Sequence, residues 1–225
     1  MIKYVFFDFN GTIIDDVDLC LDLLNDILRE QNKKEVSLEE YKNIFTFPIR
    51  KYYELAGVDF NIESYENLAV KFINKYQPAS YECNLYPGIK DVVDFLHSKG
   101  IKCVILSASE INNLRDQCQK FNIDKLFDDI LGIDDIHAAS KVGIAKKYFE
   151  LNKIKPGEAI FIGDTLHDEE VASSLGVKSL LVPNGHQSLE VLEGGHSQIL
   201  SDIRCLKNDY ENIFKIDWKW LGYSL

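Results

Sequence analysis

Short apolar runs alternate with amphipathic stretches along most of the chain. Continuous apolar runs of this length are typical of strands covered on both faces, as in a parallel sheet. The stretches between them show helical spacing, as in GIKDVVDFLHSKG (88–100) and KVGIAKKYFELN (141–152). This alternation predicts right-handed β-α-β units and a three-layer α/β fold. The apolar runs are IKYVFF (2–7), IKCVIL (101–106), DDILGI (128–133), EAIFIG (158–163) and VKSLLV (177–182).

The interval between the first two apolar runs has a different pattern. Residues 16–82 contain four helical patterns and no convincing strand, and Ser37 and Glu40 have the spacing of a capping box before one of them. An all-helical insertion between two strands of a sheet predicts a separate helical cap. We therefore predict three segments: a first core strand in 1–15, a helical cap in 16–82, and the rest of the core with a C-terminal tail in 83–225.

Composition and charge narrow the possible partners. The 225 residues are 46% apolar, and 36 acidic against 25 basic residues give a formal net charge of −11. Phosphate-backbone binding needs a basic face, so we expect neither nucleic acid nor membrane as a partner. An anionic small molecule remains possible, because it experiences the local field of its cleft. Oligomeric state is left open between monomer and homodimer.

The cysteines and the N-terminus bear on the compartment. The five cysteines are scattered and form no C-x-x-C pair, which favours reduced thiols. The first apolar run is only a few residues long and ends at Asp8, so it predicts neither a signal peptide nor a membrane span. We expect a cytoplasmic protein.

Polar residues follow several of the predicted strands at the point where each strand ends. Asp8, Ser107 and Asp164 lie at such ends, Lys141 begins the helix after the third strand, and Asp168 comes four residues after Asp164. A single strand-end aspartate is usually a turn former, and a single helix-start lysine is usually solvated. Ligands of open α/β sheets bind at the carboxyl ends of strands, so this set in this order predicts one site.

The same residues carry a resemblance to a known family. DFNGT (8–12), LSAS (106–109), Lys141 and GDTLHD (163–168) resemble, in order, the four motifs of the haloacid dehalogenase superfamily. The helical insertion resembles the type-1 cap of that superfamily, and PGIKDVVDFLHSKG resembles phosphoglycolate phosphatases. The resemblance covers about residues 2–206 and implies a Rossmann-like parallel sheet core with an inserted helical cap.

The resemblance also implies a chemistry. It implies a Mg²⁺-dependent phosphoric monoester hydrolase that acts on a small phosphorylated metabolite, with Asp8 as the nucleophile that forms an aspartyl-phosphate. The metal ligands would be Asp8, the main-chain carbonyl of Asn10 and Asp164, with Asp168 orienting metal-bound waters. Oxygen ligands of this kind suit Mg²⁺.

Further residues would bind the substrate. The resemblance implies that Ser107 and the N–H groups of Ala108 and Gly11 hold phosphate oxygens, while Lys141 supplies compensating charge. Thr12 is expected to fix the turn after the first strand.

Three further side chains also need an interpretation. Arg50, at a helix start in the cap, could pair with a distal carboxylate or phosphate of the substrate, and an exposed cap arginine is the competing interpretation. His167 lies between acids of the site, and we expect a hydrogen-bonded role for it rather than metal ligation. His186, in NGHQS, is interpreted as a loop residue.

Asn10 departs from the motif. The phosphatases of the family carry an aspartate there, which protonates the leaving oxygen and later activates water. An amide keeps the backbone carbonyl for the metal but cannot carry or accept a proton at neutral pH. General acid–base catalysis is typically worth ~10²–10⁴-fold, so activity could be reduced, and Asn10→Asp is expected to raise it. The alternative is a catalytically weak or inactive protein of this fold that binds a phospholigand or acts as a regulator.

Overall fold

The structure is a computed structural model that describes residues 1–133 and 140–214. Eight strands are assigned in this part of the chain. The predicted strands are present with bounds that differ by a few residues, and β2, β3 and β8 were not predicted, because two-residue strands are too short to show a periodicity. In chain order the strands are β1 (Tyr4–Phe7), β2 (Ile14–Asp15), β3 (Asn84–Leu85), β4 (Lys102–Glu110), β5 (Asp129–Ile133), β6 (Ala159–Gly163), β7 (Lys178–Leu181) and β8 (Gln198–Ile199).

Helices fill most of the intervals between these strands. A single 3-10 turn over Pro156–Glu158 leads into β6. The α-helices are α1 (Val17–Glu30), α2 (Leu38–Ile44), α3 (Ile49–Ala56), α4 (Tyr65–Ser80), α5 (Ile89–Ser98), α6 (Ile111–Lys120), α7 (Lys141–Asn152), α8 (Leu166–Ser174), α9 (Leu189–Leu192), α10 (Cys205–Asn208) and α11 (Tyr210–Phe214).

The central sheet has six parallel strands in the order β5-β4-β1-β6-β7-β8. From β1 the chain first builds outward on one side through β4 and β5, and then on the other side through β6, β7 and β8. The strand order therefore reverses beside β1, and ligands of open α/β sheets bind where such a reversal lies, at the carboxyl ends of the strands. The chain topology selects the ends of β1, β4 and β6 as the site.

Both faces of the sheet are covered, which explains the continuous apolarity of the strands. On β1, Val5 and Phe7 pack with α5 and α6, whereas Phe6 faces the opposite way and packs with α7 and α8. Successive side chains of a strand point to opposite faces, so a strand between two helical layers needs apolar residues at every position. The predicted three-layer α/β fold is confirmed.

The first four helices form a unit with an apolar cluster of their own. Leu24 and Leu28 of α1 pack there with Tyr41, Tyr52 and Leu68 from the other three helices. The predicted capping box starts α2, with the Ser37 hydroxyl accepting from the Glu40 N–H and the Glu40 carboxylate accepting from the Ser37 N–H.

The chain enters and leaves the helical unit through a short antiparallel ribbon. Ile14 of β2 pairs with Leu85 of β3, and Asp15 pairs with Asn84. The division at 1–15, 16–82 and 83–225 stays a prediction.

Alternation of Ile216, Trp218 and Trp220 predicts an edge strand or packed arm, and these residues lie outside the described part of the chain. Within that part, none of the helices has the length and apolarity needed to span a membrane.

Candidate active site

A lysine surrounded by carboxylates lies at the carboxyl ends of the central strands. Asp8 follows β1, Asp164 follows the neighbouring β6, and Lys141 and Asp168 lie in the first turns of α7 and α8. The Lys141 Nζ lies 2.7 Å from Asp8 Oδ1 and 2.5 Å from Asp168 Oδ1. One oxygen each of Asp8, Asp164 and Asp168 lies within 4.8 Å of the others. Parallel strands thus bring together residues that are far apart in sequence.

The electrostatics of this carboxylate cluster (Asp8, Asp164 and Asp168 with Lys141) are unbalanced. Burial and the nearby Asp168 raise the pKa of Asp8 to about 8, although Lys141 acts in the opposite direction. Burial also raises the pKa of Asp164 to about 6. Burial alone would lower the pKa of Lys141, but the attraction of Asp168 and Asp8 raises it overall. One ammonium group therefore faces three carboxylates, which is a local excess of negative charge.

This donor set fits a hard divalent cation. Carboxylate oxygens from two neighbouring strand ends are ligands that Mg²⁺ prefers, and the Asn10 main-chain carbonyl stays a predicted third ligand. A cation beside Asp8 and Asp164 would also lower their pKa values, which burial raises. Asp8 and Asp164 are the residues of this chain best placed to hold one.

Asp164 is held rigidly from two sides. Its Oδ1 accepts from the Thr12 hydroxyl at 2.9 Å and its Oδ2 accepts from the His186 N–H at 2.7 Å. Gly11 has a φ of +71°, and a Cβ at this position would overlap the Asp164 carboxylate and the His186 ring. The Gly-Thr pair after β1 therefore lets the loop turn tightly and approach the end of β6.

Asp168 contacts both Lys141 and the loop that carries Asp164. Its Oδ1 pairs with Lys141, and its Oδ2 accepts from the N–H and hydroxyl of Thr165 and from the N–H of Asp164. This is a capping arrangement at the start of α8. The role of Asp168 in metal binding stays a prediction, and its contacts are those of a residue that orients Lys141 and the Asp164 loop.

Asp16 is a further buried carboxylate, and the sequence interpretation did not identify it. Asp16 is 1% exposed, and its Oδ1 accepts from the Gly11 N–H at 2.9 Å. Its Oδ2 accepts from Asn10 Nδ2 at 2.9 Å and from the Tyr76 hydroxyl at 2.6 Å. Burial alone would raise the pKa of Asp16, but His186 and these donors hold it below its usual range.

His186 is the ionic partner of Asp16. It lies in a loop, as interpreted, yet it is only 4% exposed, and its Nε2 is 3.4 Å from Asp16 Oδ1. Its Nδ1 pairs with the Tyr41 hydroxyl at 2.8 Å, and its ring stacks on Phe45 at 4.7 Å between centroids. Burial works against its charge, but Asp16 and the nearby acids raise the pKa of His186 to about 9. Asp16 and His186 are called the saturated pair below, and Tyr41 and Tyr76 are its hydrogen-bond partners.

The predicted phosphate donors have partners inside the protein. The Gly11 N–H, assigned to phosphate by the resemblance, donates to Ile14 O and to Asp16. Ser107 is buried, and its hydroxyl donates to Ser109 Oγ at 3.0 Å, which in turn donates to Asn10 Oδ1 at 3.2 Å. Ala108 lies exposed in β4 beside them. The roles of these groups toward phosphate stay predictions.

Of the two remaining candidates, Arg50 lies on α3 of the helical unit and His167 lies on α8 of the core. Arg50 is exposed on α3, where it pairs with Glu54 at 3.4 Å and lies 4.8 Å over the Phe60 ring. These contacts agree with the interpretation as a cap-surface arginine, and its role toward substrate stays a prediction. His167 pairs with Glu170 at 3.1 Å and stacks on Phe47 of the α2–α3 connection. A hydrogen-bonded position for His167 is what the sequence predicts.

Asp16 and His186 lacked a usable sequence signal. Asp16 follows another acid, Asp15, before a helix, where an acidic residue is common for capping reasons alone. His186 lies in a polar loop far away in the chain. Only the packing of the helical unit on the core brings them together.

The family model for haloacid dehalogenase-like hydrolases matches residues 5–182. The chain belongs to this family, and the resemblance noted in the motifs is confirmed. It also has the fold of the family.

Individual relatives are phosphatases by name. A phosphoglycolate phosphatase from Pseudomonas fluorescens is 25% identical over 91% of this chain and 78% of its own length. The pyrophosphatase PpaX from Anoxybacillus flavithermus is 25% identical over 79% of this chain and 82% of its own. Among solved structures, a haloacid dehalogenase-like hydrolase from Streptococcus pneumoniae shares the fold with a TM-score of 0.78, at 20% identity over 93% of this chain and 98% of its own.

Proposed function

We propose that this chain is a Mg²⁺-dependent phosphatase of small phosphorylated metabolites that works through an aspartyl-phosphate on Asp8. The observation that carries the proposal is the carboxylate cluster with Lys141 at the carboxyl ends of β1 and β6. The named activities of the relatives support phosphate-ester or phosphoanhydride cleavage. The formal net charge of −11 and the small size of the cluster favour a small substrate over nucleic acid.

Each residue has a defined task in this proposal. An Asp8 oxygen attacks phosphorus, the bond from phosphorus to the leaving oxygen breaks with its electron pair, and water then cleaves the aspartyl-phosphate. Lys141 favours the ionised form of Asp8 against the effect of burial and would compensate the charge of the phosphoryl oxygens. Mg²⁺, held by Asp8, Asp164 and the Asn10 carbonyl, would supply further charge compensation and orientation.

Asn10 sets a limit on the leaving group. Its amide cannot protonate a departing oxygen, so leaving groups that are weak bases are expected to be favoured. Aryl phosphates, acyl phosphates and pyrophosphate release such groups, whereas phosphoglycolate and sugar phosphates release strongly basic alkoxides. Breakdown of the aspartyl-phosphate also lacks a general base at residue 10, so this species is expected to accumulate.

A second function is favoured by the same residue. A protein that binds a phospholigand, or keeps a long-lived phospho-Asp8 as a regulatory state, needs the nucleophile and the cation but no acid–base group. The hydrogen bonds that occupy the Asn10 amide, to Asp16 and Tyr76, favour this reading over a residue poised for proton transfer.

The deciding experiment compares leaving groups. Purified protein with Mg²⁺ is assayed on acetyl phosphate, p-nitrophenyl phosphate, pyrophosphate and phosphoglycolate, with Asp8→Asn as the control. We expect turnover of the first three at rates well above that of phosphoglycolate, and a phosphorylated Asp8 in quenched samples. Asn10 precedes Gly11, and an Asn-Gly pair is prone to deamidation, which would turn residue 10 into an acid. Mass spectrometry must therefore show an intact Asn10 in the assayed sample.

Three outcomes are informative. Equal rates on alkyl and aryl esters would contradict the proposed consequence of Asn10. Phosphorylation of Asp8 without turnover would support the regulatory function. Absence of both turnover and phosphorylation with every compound, in the presence of Mg²⁺, would contradict the phosphatase proposal itself.

A further inference from the structure

The side chain of Asn10 has a full set of partners, and they come from three directions. Its Nδ2 donates to Asp16 Oδ2 at 2.9 Å and to the Tyr76 hydroxyl at 2.5 Å. Its Oδ1 accepts from the Ser109 hydroxyl at 3.2 Å. Ser109 belongs to β4, Asp16 precedes α1, and Tyr76 belongs to α4. Residue 10 therefore joins the core, the helical insertion and the loop after β1 that carries Asp8 and Asn10, called the catalytic loop below.

The direction of these hydrogen bonds is dictated by Asp16. An ionised carboxylate only accepts hydrogen bonds, and the Asp16 carboxylate is buried, so each neighbour that faces it must be a donor. Asn10 Nδ2, the Tyr76 hydroxyl and the Gly11 N–H all meet this requirement. A carboxylate at residue 10 has no donor to offer and would face Asp16 across a distance of about one hydrogen bond. An amide satisfies the position, and an ionised acid does not.

Tyr76 extends the network to the helical insertion. It is buried, it lies late in α4, and its hydroxyl contacts both Asn10 and Asp16. A second helix of the insertion reaches the other side of Asp16 through Tyr41 and His186. Both contacts exist only when the insertion is packed against the core, so the orientation of the residue 10 side chain is tied to that packing.

We propose that Asn10 is a positioning residue matched to Asp16, and that its amide couples the catalytic loop to the helical insertion through Tyr76. The amide is required by the buried carboxylate next to it. The consequence for catalysis rests on the proposed function, whereas the pairing itself does not. One corollary is that an acid at residue 10 delivers its full rate gain only when Asp16 is also replaced by a donor.

The pairing is tested by a double-mutant cycle in urea denaturation, which needs no activity. Asn10→Asp and Asp16→Asn each lower the denaturation midpoint, because each leaves a carboxylate or an amide facing a mismatched partner. The double variant Asn10→Asp/Asp16→Asn reverses the polarity of the pair and is expected to recover more than half of the loss seen in Asn10→Asp. Asn74→Asp, the same change at an exposed site of α4, leaves the midpoint nearly unchanged. Simple addition of the two single losses would overturn the pairing.

A second arm tests the coupling through Tyr76. Tyr76→Phe removes only the hydroxyl, and we expect it to lower kcat on the best substrate by about tenfold with little change in KM, as for a group that positions rather than binds. Tyr65→Phe, at the first residue of the same helix, is the matched control. An unchanged kcat in Tyr76→Phe, or an equal loss in Tyr65→Phe, would overturn the coupling.

The two arms separate this inference from the proposed function. If the protein turns over none of the phosphate compounds, the phosphatase proposal fails, and the urea cycle still decides whether Asn10 and Asp16 are matched. If turnover is present but the urea losses add, the phosphatase proposal stands and the matching of Asn10 to Asp16 is wrong.

Discussion

Two groups of buried carboxylates lie on either side of the loop after β1, and they are satisfied to different degrees. In the carboxylate cluster, Lys141 pairs with Asp8 and Asp168 but not with Asp164, and the pKa values of Asp8 and Asp164 are raised. In the saturated pair, the single carboxylate of Asp16 has a histidine and several donors, and its pKa is lowered. Asp164 and Asp16 are both almost completely buried, at 0% and 1% exposed, whereas the Asp8 side chain keeps 15% of its exposure.

Burial alone therefore does not distinguish reactive groups from structural ones. An incompletely compensated carboxylate keeps an unmet demand for positive charge, which a cation or a reacting phosphoryl group can meet. A fully compensated carboxylate has no such demand and contributes its free energy to the packing of the helical insertion on the core. The following predictions test whether this division between chemistry and architecture holds.

The largest expected effect is on catalysis in the carboxylate cluster. Asp8→Asn removes the proposed nucleophile and is expected to reduce the proposed phosphatase activity by at least about 10³-fold. The free energy of unfolding of this variant is expected to be unchanged or higher, because one of three crowded acidic groups is replaced by a neutral amide. Initial rates on acetyl phosphate and urea denaturation of the same preparation measure both quantities. A large loss of stability would show that Asp8 is structural and would contradict the division between the carboxylate cluster and the saturated pair.

The next effect is on stability in the saturated pair. Asp16→Ala leaves the buried His186 without its ionic partner and removes the acceptor of the Asn10 amide and the Tyr76 hydroxyl, and is expected to cost about 3 kcal/mol of the free energy of unfolding. The neighbouring exposed Asp15→Ala is the control. Urea denaturation monitored by far-UV circular dichroism provides the measurement. A cost no larger than that of the control would mean that the pair contributes nothing to folding.

Binding of Mg²⁺ is expected only in the carboxylate cluster. A cation that binds the folded state stabilises it by mass action, about 2.7 kcal/mol when its free concentration is 100 times the dissociation constant. Thermal denaturation with Mg²⁺ or with a chelator should show this gain in the wild type and lose it in Asp164→Asn. Retention of the full gain in Asp164→Asn would place the cation elsewhere.

The smallest effect concerns the outer contact of the saturated pair. Tyr41→Phe removes the hydroxyl that pairs with His186 Nδ1 and is expected to cost about 1 kcal/mol of the free energy of unfolding. Tyr65→Phe serves again as the matched control. Equal midpoints for the two variants in urea would show that the His186 ring is held by stacking on Phe45 rather than by the hydroxyl.

The parallel sheet and the helical insertion could be predicted because their signals are local. The continuous apolarity of β1, the capping box of Ser37 and Glu40, and the polar residues at strand ends are each legible within about ten residues. Strand-end position is also a topological rule, so the meeting of Asp8, Lys141 and Asp164 could be expected before any side-chain contact was known.

The partners of Asn10 could not be predicted in this way. From the sequence, Asn10 is a missing acid, because a motif describes one position and not its neighbours in space. The network around it needs Tyr76 from α4, Ser109 from β4 and Asp16, and these contacts depend on how the helical insertion packs on the core. The same holds for His186, which reaches Asp16 across the domain boundary that the sequence predicts.

The sequence by itself determined the fold class, the family and the identity of the strand-end residues, because periodicity and motif order are properties of the chain. The tertiary structure decided which buried carboxylates are compensated and which are not. That decision depends on distances between side chains from different elements, and electrostatic and hydrogen-bond energies change over a few ångströms. Asp8 and Asp16 are both aspartates beside the same glycine loop, and only their surroundings make one a candidate nucleophile and the other a structural anchor.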